Sequence, residues 1–133
     1  MSTRSFFRYW LPLILYCALI FILSSQPVPR KVPVFIGADK MMHAAAWMVL
    51  GVLCFRAFQN HWPQAKPSSI IVLSVAASVL FGISDEFHQS FVPSRTADIM
   101  DVFFDFLGSI LGAGICPQFY AKYPKIRPRF TPR

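Results

Sequence analysis

Residues 68–84 read SSIIVLSVAASVLFGIS, seventeen consecutive residues without a charged side chain. At 1.5 Å per residue they form a helix of about 26 Å, the lower end of what crosses the core of a bilayer. Apolar stretches of comparable length occupy residues 6–23, 41–58 and 99–116. Because lipid offers the backbone no hydrogen-bond partner, such spans must be helical. The sequence therefore predicts an all-α integral membrane bundle of four transmembrane helices.

The composition fits a lipid environment and one domain. The chain has 133 residues, of which 55% are hydrophobic and only 14% charged, whereas soluble domains have about 25% charged residues. The net charge of +7 is not accompanied by a helix-turn-helix pattern or zinc-finger spacing. We therefore expect the lipid bilayer as a partner and no nucleic acid.

The basic residues predict the orientation. Nine of the 13 lie in three segments that contain no acid, namely Arg4, Arg8, Arg56, Lys66, Lys122, Lys125, Arg127, Arg129 and Arg133. The positive-inside rule places these segments in the cytoplasm. We expect a multi-pass protein of the cytoplasmic (inner) membrane with both termini cytoplasmic, a four-helix domain over residues 1–121 and a basic, proline-containing tail over residues 122–133. A cleaved signal peptide is the alternative for the first span, but no A-x-A site precedes Gln26.

The acids gather at the opposite side of the predicted membrane. All six lie near the other ends of the spans: Asp39, Asp85, Glu86, Asp98, Asp101 and Asp105. They are accompanied there by Lys40, His43, His88, Gln89 and Arg95. Helical spacing puts Asp39 and His43 on one face, and Asp98, Asp101 and Asp105 on another. We expect these faces to turn inward toward one polar pocket that opens outside.

Alternatives remain for individual acids. Asp98 is positioned to cap the fourth span, and Asp85 and Glu86 would also suit a solvated loop. Asp105 lies about 9 Å along its helix, where a carboxylate costs about 2–3 kcal/mol unless it faces protein or water. For Asp101 and Asp105 we therefore expect a functional role or a buried pair with Arg95 or Lys40.

Metal and disulfide sites are not favoured by the spacing. Imidazole with carboxylates suits zinc or manganese, but no H-E-x-x-H or similarly dense motif occurs, so no metal ligand and no cofactor is predicted. Cys17, Cys54 and Cys116 lie in apolar runs without C-x-x-C spacing. They are interpreted as small apolar side chains.

Two ladders of small residues indicate where helices approach closely. Ser74, Ser78 and Gly82 repeat at four-residue intervals in the third span, and Gly108 and Gly112 do so in the fourth. Such spacing lets helix backbones meet in lipid. We expect these ladders to form the seam of the bundle, whereas the position of Trp47, against the polar residues or against lipid, is left open.

Several motifs resemble the VanZ-like family. They are SSQP at 24–27, DKMMH at 39–43 followed by LG at 50–51, GISDEFHQSFVPSR at 82–95, and DVFFDFLGSILG at 101–112. The matching motif positions are Asp39, Lys40, His43, Asp85, Glu86, Gln89, Arg95, Asp101, Asp105 and Gly108. The resemblance implies a multipass bacterial membrane protein of the cell envelope. The namesake of the family is associated with low-level resistance to teicoplanin by a mechanism that is not established.

The chain departs from the family pattern at three positions. Trp47 stands where tyrosine is more usual, Ser94 where glycine is common, and Asp105 where asparagine is also found. Because asparagine serves at that last position, Asp105 is not expected to be an obligatory base or metal ligand. Resistance is not assigned to this chain on resemblance alone.

Three functions follow as hypotheses. The first is binding of an amphiphilic envelope lipid or lipid-linked glycan, in which Lys40 and Arg95 hold a phosphate or carboxylate. The residues of this ligand site are Asp39, Lys40, His43, Asp85, Glu86, Gln89, Arg95, Asp101 and Asp105. The second is an interfacial hydrolase or transferase, with Asp85, Glu86 or His43 as general base and His88 as acid. The third is an assembly partner for another membrane protein, which the sequence does not identify.

Overall fold

The computed structural model describes residues 3–27 and 37–124. Four helices make up the fold, namely α1 (Thr3–Ser24), α2 (Ala38–His61), α3 (Pro67–Gln89) and α4 (Ile99–Lys122). With 22 to 24 residues each, they are about 33–36 Å long and apolar enough to cross a membrane. The described residues contain no strand. The predicted all-α bundle of four membrane-spanning helices is thus confirmed.

The helices extend beyond the predicted spans, mainly at their polar ends. α2 begins three residues before residue 41, and α3 continues five residues past residue 84. α4 continues to Lys122, the first residue of the predicted tail, whereas residues 125–133 lie outside the described part of the chain. A hydropathy pattern identifies only the apolar centre of a helix, so it does not predict the polar turns at the helix ends.

The fourth apolar stretch was predicted to end at residue 116, just before Pro117, but α4 continues through this proline to Lys122. The predicted end was wrong because helices in membranes tolerate proline where the freed backbone groups find other partners. In α1, Pro12 follows a π-helical turn at Phe6–Trp10, in which the Leu11 N–H bonds to Phe6 O. This wider turn directly precedes the proline ring, which cannot donate to the helix.

The closest packing in the bundle joins the parallel helices α2 and α4. A Cβ added at Gly108 would overlap the backbone of Ala44, and one added at Gly112 would overlap the backbone of Met48. On the facing side, a Cβ at Gly51 would lie 2.6 Å from Ser109 O. The predicted glycine ladder of α4 is therefore the seam at which two backbones meet.

The third helix lies across this pair with its own small residues inward. Ser74, Ser78 and Gly82 are all buried, and the Ser78 hydroxyl lies 3.6 Å from Cys54 Sγ in α2. Large apolar side chains cover the outer surfaces instead; Leu15, Val72, Leu80 and Leu111 are 59% to 69% exposed. A bundle with small residues inside and large apolar residues outside is suited to a lipid bilayer.

Replacing Gly112 by alanine is expected to lower the free energy of unfolding by about 1–3 kcal/mol, because the methyl group would force α2 and α4 apart. Thermal unfolding of the purified protein in detergent, followed by circular dichroism, measures the change. Gly114→Ala is the matched control, since nothing lies within 4 Å of a Cβ added there. Equal destabilisation by both substitutions would contradict the close contact.

Candidate functional site

Polar side chains of three helices meet at one end of the bundle. Asp85, Glu86 and Gln89 come from the last turns of α3, and Asp101 and Asp105 from the first turns of α4. All five are at most 8% exposed. The alternative of a solvated loop for Asp85 and Glu86 is therefore wrong, because α3 continues past them and turns both toward its neighbours. We call these five residues, together with Lys40 and His43 of α2, the polar cluster.

Lys40 pairs with the carboxylates at the outer edge of the polar cluster. Its Nζ lies 2.5 Å from Asp98 Oδ2 and 2.6 Å from Asp101 Oδ1. Of the alternatives left open for Asp101, the pair with Lys40 is thus the one observed. Asp39 is 3.4 Å from the same ammonium, but its side chain is 64% exposed. The expectation that Asp39 turns inward with His43 was wrong, since the first turn of α2 points this carboxylate away from the bundle.

Asp98 closes the start of α4 as predicted. Its Oδ1 accepts a hydrogen bond from the Met100 N–H at 2.9 Å. The hydrogen bond from Lys40, followed by that from Met100, lowers the pKa of this carboxyl below its ordinary value. A lowered pKa means that the charged, capping form persists at neutral pH and is lost only as the pH falls through that lowered value.

His43 is held in one orientation by a carboxylate and an aromatic ring. Its Nδ1 lies 2.9 Å from Asp105 Oδ1, and its ring stacks on Trp47 with 5.6 Å between centroids. Trp47 is buried and donates to Ser78 O at 2.9 Å, so it lines the polar cluster rather than facing lipid. Asp105 therefore pairs with His43 and not with Arg95 or Lys40. Its other oxygen, Oδ2, has no hydrogen-bond partner among the described residues.

The end of α1 supplies contacts that the sequence did not predict. Ser24 Oγ donates to Asp85 Oδ1 at 2.6 Å, and Gln89 Nε2 donates to Asp85 Oδ2 at 2.8 Å. Ser25 Oγ lies 2.9 Å from His88 Nε2. The feature of the sequence that could have predicted these contacts is the pair Ser24 and Ser25 at the end of the first apolar stretch. His88 is thus engaged with α1, away from His43.

Arg95 fastens α1 to the loop between α3 and α4. Its Nε donates to Gln26 O at 3.0 Å, its Nη2 to Leu23 O at 3.2 Å and its Nη1 to Gln89 Oε1 at 3.2 Å. Carbonyls at a helix end lack partners within the helix, and the guanidinium satisfies them. The preceding Ser94 has a φ of +67°, a region that favours the glycine common in the VanZ-like pattern.

Glu86 connects the end of α3 to the start of α4. Its Oε2 accepts from the Asp98 N–H at 2.9 Å, and its Oε1 has a longer contact of 3.4 Å with Gln89 Nε2. One ligand atom each from Glu86, His43 and Asp101 also lies within 4.8 Å of the other two. The cluster is thus chemically able to hold a cation, to orient a histidine base, or to accept hydrogen bonds from a polar group.

Replacing Arg95 by alanine is expected to loosen the end of α1, because Leu23 O and Gln26 O lose the guanidinium that joins them to the loop between α3 and α4. Hydrogen exchange in detergent measures this at the amides of Ser25 and Gln26, which bond to Phe21 O and Leu23 O. We expect faster exchange there and little change within α2. Lys66→Ala, which removes a basic residue from the opposite end of the bundle, is the control. Unchanged exchange at Ser25 and Gln26 would contradict the anchoring role of Arg95.

The family comparison agrees with the motifs that form this site. The sequence profile of the VanZ/LLP1 family matches residues 7–120, which include all four helices apart from the first residues of α1 and the last of α4. No curated protein and no solved structure matches the chain. Because the match covers most of the sequence and every residue of the polar cluster, the chain belongs to the VanZ/LLP1 family.

Proposed function

We propose that the polar cluster binds the headgroup of an amphiphilic lipid of the bacterial cell envelope, such as a lipid-linked glycan. The observation that carries this proposal is the meeting of charged and apolar surfaces at one end of the bundle. Lys40 and Asp98 reach the surface there, with side chains 19% and 41% exposed. A ligand that touches them from the membrane must be polar at one end.

Exposed apolar side chains flank that polar edge. Met41 and Met42 follow Lys40 in α2 and are 62% and 69% exposed, and Ile99 follows Asp98 and is 79% exposed. Phe87 and Phe91 pack edge to face at the end of α3, with both rings largely exposed. These side chains would contact the hydrocarbon chain of a lipid whose headgroup lies against Lys40 and Asp98.

The charge at this end of the bundle limits which headgroups could bind. Among the described residues, this end of the bundle has six acids but only two bases, Lys40 and Arg95. Carboxylates accept hydrogen bonds from hydroxyl and amide groups. Arg95 already bonds to three acceptors. Lys40 is likewise paired with Asp98 and Asp101. We therefore favour recognition of sugar hydroxyls by the acids over a phosphate contact.

Native mass spectrometry with a polyprenyl diphosphate-linked disaccharide tests lipid binding. We expect the wild type to retain this lipid at least about tenfold better than the polyprenyl phosphate without sugar, a difference of about 1.4 kcal/mol. Asp101→Asn should lose this preference while remaining folded, because it removes a buried acceptor charge. Lys66→Ala, at the opposite end, should keep it. Equal retention of both lipids by the wild type would rule out recognition of the glycan.

A second candidate function, an interfacial hydrolase or transferase, is favoured by the His43–Asp105 pair. A buried carboxylate 2.9 Å from Nδ1 holds an imidazole in the tautomer whose Nε2 accepts a proton. Among the proposed bases this applies to His43 alone, since Asp85 is bonded to α1 and Glu86 accepts from the Asp98 N–H. The proposed acid, His88, is bonded to Ser25 of α1. Turnover of the disaccharide lipid, lost in His43→Gln with binding retained, would distinguish catalysis from binding.

We further infer that the polar cluster lies on the outer face of the bacterial cytoplasmic membrane. Arg56 and Lys122 lie at or near the ends of α2 and α4, and Lys66 immediately precedes α3, all at the end opposite the acids. The positive-inside rule puts that basic end, and with it both termini, in the cytoplasm.

Cysteine labelling tests this orientation in intact cells. Ser90→Cys should react with a membrane-impermeant maleimide, because Ser90 is exposed just after α3. Gln64→Cys, in the exposed connection between α2 and α3, should react only after the membrane is permeabilised. The parent chain, whose Cys54 and Cys116 are buried and Cys17 half-buried, provides the background. The reverse labelling pattern would contradict the orientation.

A further inference from the structure

We propose that His43, Glu86 and Asp101 bind one divalent transition-metal cation, Zn²⁺ or Mn²⁺. One nitrogen or oxygen atom of each residue lies within 4.8 Å of those of the other two. Two ligands of a single zinc ion, each about 2.1 Å from it, are separated by at most about 4.2 Å. Small side-chain rotations therefore bring all three onto one ion. The proposal goes beyond the lipid ligand and does not rest on it.

The imidazole is arranged as in metal centres. A histidine that binds a metal through one nitrogen commonly donates from the other to a carboxylate. In this chain Nδ1 of His43 is 2.9 Å from Asp105 Oδ1, which leaves Nε2 with its lone pair on the side of Asp101. Nε2 is 3.7 Å from Asp101 Oδ2, too long for a hydrogen bond but suitable for two ligands on one ion.

Each carboxylate likewise has one oxygen fixed by the protein and one left for a cation. Asp101 Oδ1 accepts from Lys40 at 2.6 Å, whereas Oδ2 is the oxygen nearer His43 Nε2. Glu86 Oε2 accepts from the Asp98 N–H at 2.9 Å, whereas Oε1 has only the 3.4 Å contact with Gln89. Such bonds orient ligands in metal sites.

Asp105, the carboxylate that orients His43, also has one oxygen without a hydrogen-bond partner. Asp105 is 0% exposed and its Oδ2 has no hydrogen-bond partner among the described residues. That oxygen points at Gly82, where an added Cβ would lie 2.6 Å from it, one helical turn from Glu86 on the same face of α3. A buried carboxylate with an unsatisfied oxygen is costly unless a cation or proton balances it.

The ligand types select the metal. One imidazole and two carboxylates suit zinc or manganese better than calcium, which prefers six to eight oxygens. Three protein ligands leave coordination positions for water or for an oxygen of a bound headgroup. The residues come from three different helices, α2, α3 and α4, so the ion would also fasten them together. Because the three ligands are far apart in the sequence, they form no dense motif, and the sequence alone therefore did not favour a metal site.

Metal titration of the purified, chelator-treated protein in detergent, with no lipid added, tests this site. We expect isothermal titration calorimetry with Zn²⁺ and Mn²⁺ to show one ion per chain. Glu86→Gln keeps the shape of the side chain and should weaken binding by about 100-fold or more, and Asp105→Asn by about tenfold through His43. Asp39→Asn removes the same charge from an exposed carboxylate and should leave the affinity within about twofold of the wild type.

Three outcomes would overturn the proposal. They are no stoichiometric ion in the wild type, an affinity unchanged in Glu86→Gln, or an equal loss in Asp39→Asn. If Glu86→Gln does not fold, X-ray absorption of the zinc-loaded wild type decides. One imidazole with carboxylate oxygens is expected, and a shell without imidazole would refute the site. Because no lipid is present, failure here leaves lipid binding untouched, and failure of lipid binding leaves the ion untouched.

Discussion

The contact between the backbones of α2 and α4 is the constraint on which the rest of the structure depends. Gly108 meets Ala44 and Gly112 meets Met48, so the two parallel helices are locked at a fixed register. Two turns or less from these contacts, the same register places Lys40 beside Asp101 and His43 beside Asp105. Side chains larger than glycine would separate the helices and, with them, the ionic pairs. Close packing thus positions the polar cluster.

Charge inside a membrane protein must be balanced locally, and this shapes the cluster. A carboxylate without a partner at such depth costs several kcal/mol, roughly. Lys40 pairs with Asp98 and Asp101 and balances part of their charge, and His43 donates toward Asp105. Among the described residues, Asp85 accepts hydrogen bonds from Ser24 and Gln89, which are both neutral donors. The remaining excess of negative charge is what a hydroxyl-rich headgroup or a cation would satisfy.

The first helix packs against α2 along its length and is hydrogen-bonded to α3 at its polar end. Arg95 donates to Leu23 O and Gln26 O, and Ser24 and Ser25 contact Asp85 and His88. These bonds connect α1 to the same residues of α3 that build the cluster. The order of the polar cluster and the packing of α1 are therefore coupled. A ligand that bound to Asp85 or Gln89 would alter their hydrogen bonds to Ser24 and Arg95 and so affect the position of α1.

The sequence alone determined the four helices, their membrane character and the residues that gather at one face. Apolar length suffices for this because lipid leaves the backbone no other hydrogen-bonded structure. It also predicted the Asp98 cap and the glycine seam, both of which depend on local spacing, and it included the pair of Asp101 with Lys40 among the alternatives. It did not predict that α4 continues through Pro117, or that Asp39 stays exposed.

Only the tertiary structure decided which distant residues meet. Asp105 pairs with His43 rather than with Arg95 or Lys40, and Arg95 turns to the carbonyls of α1 instead. His43, Glu86 and Asp101 lie on three helices and converge only through packing. Helical periodicity tells which residues share a face of one helix, but the rotation and register of neighbouring helices depend on how closely their backbones approach. That approach is set by contacts between segments about sixty residues apart, which no local pattern contains.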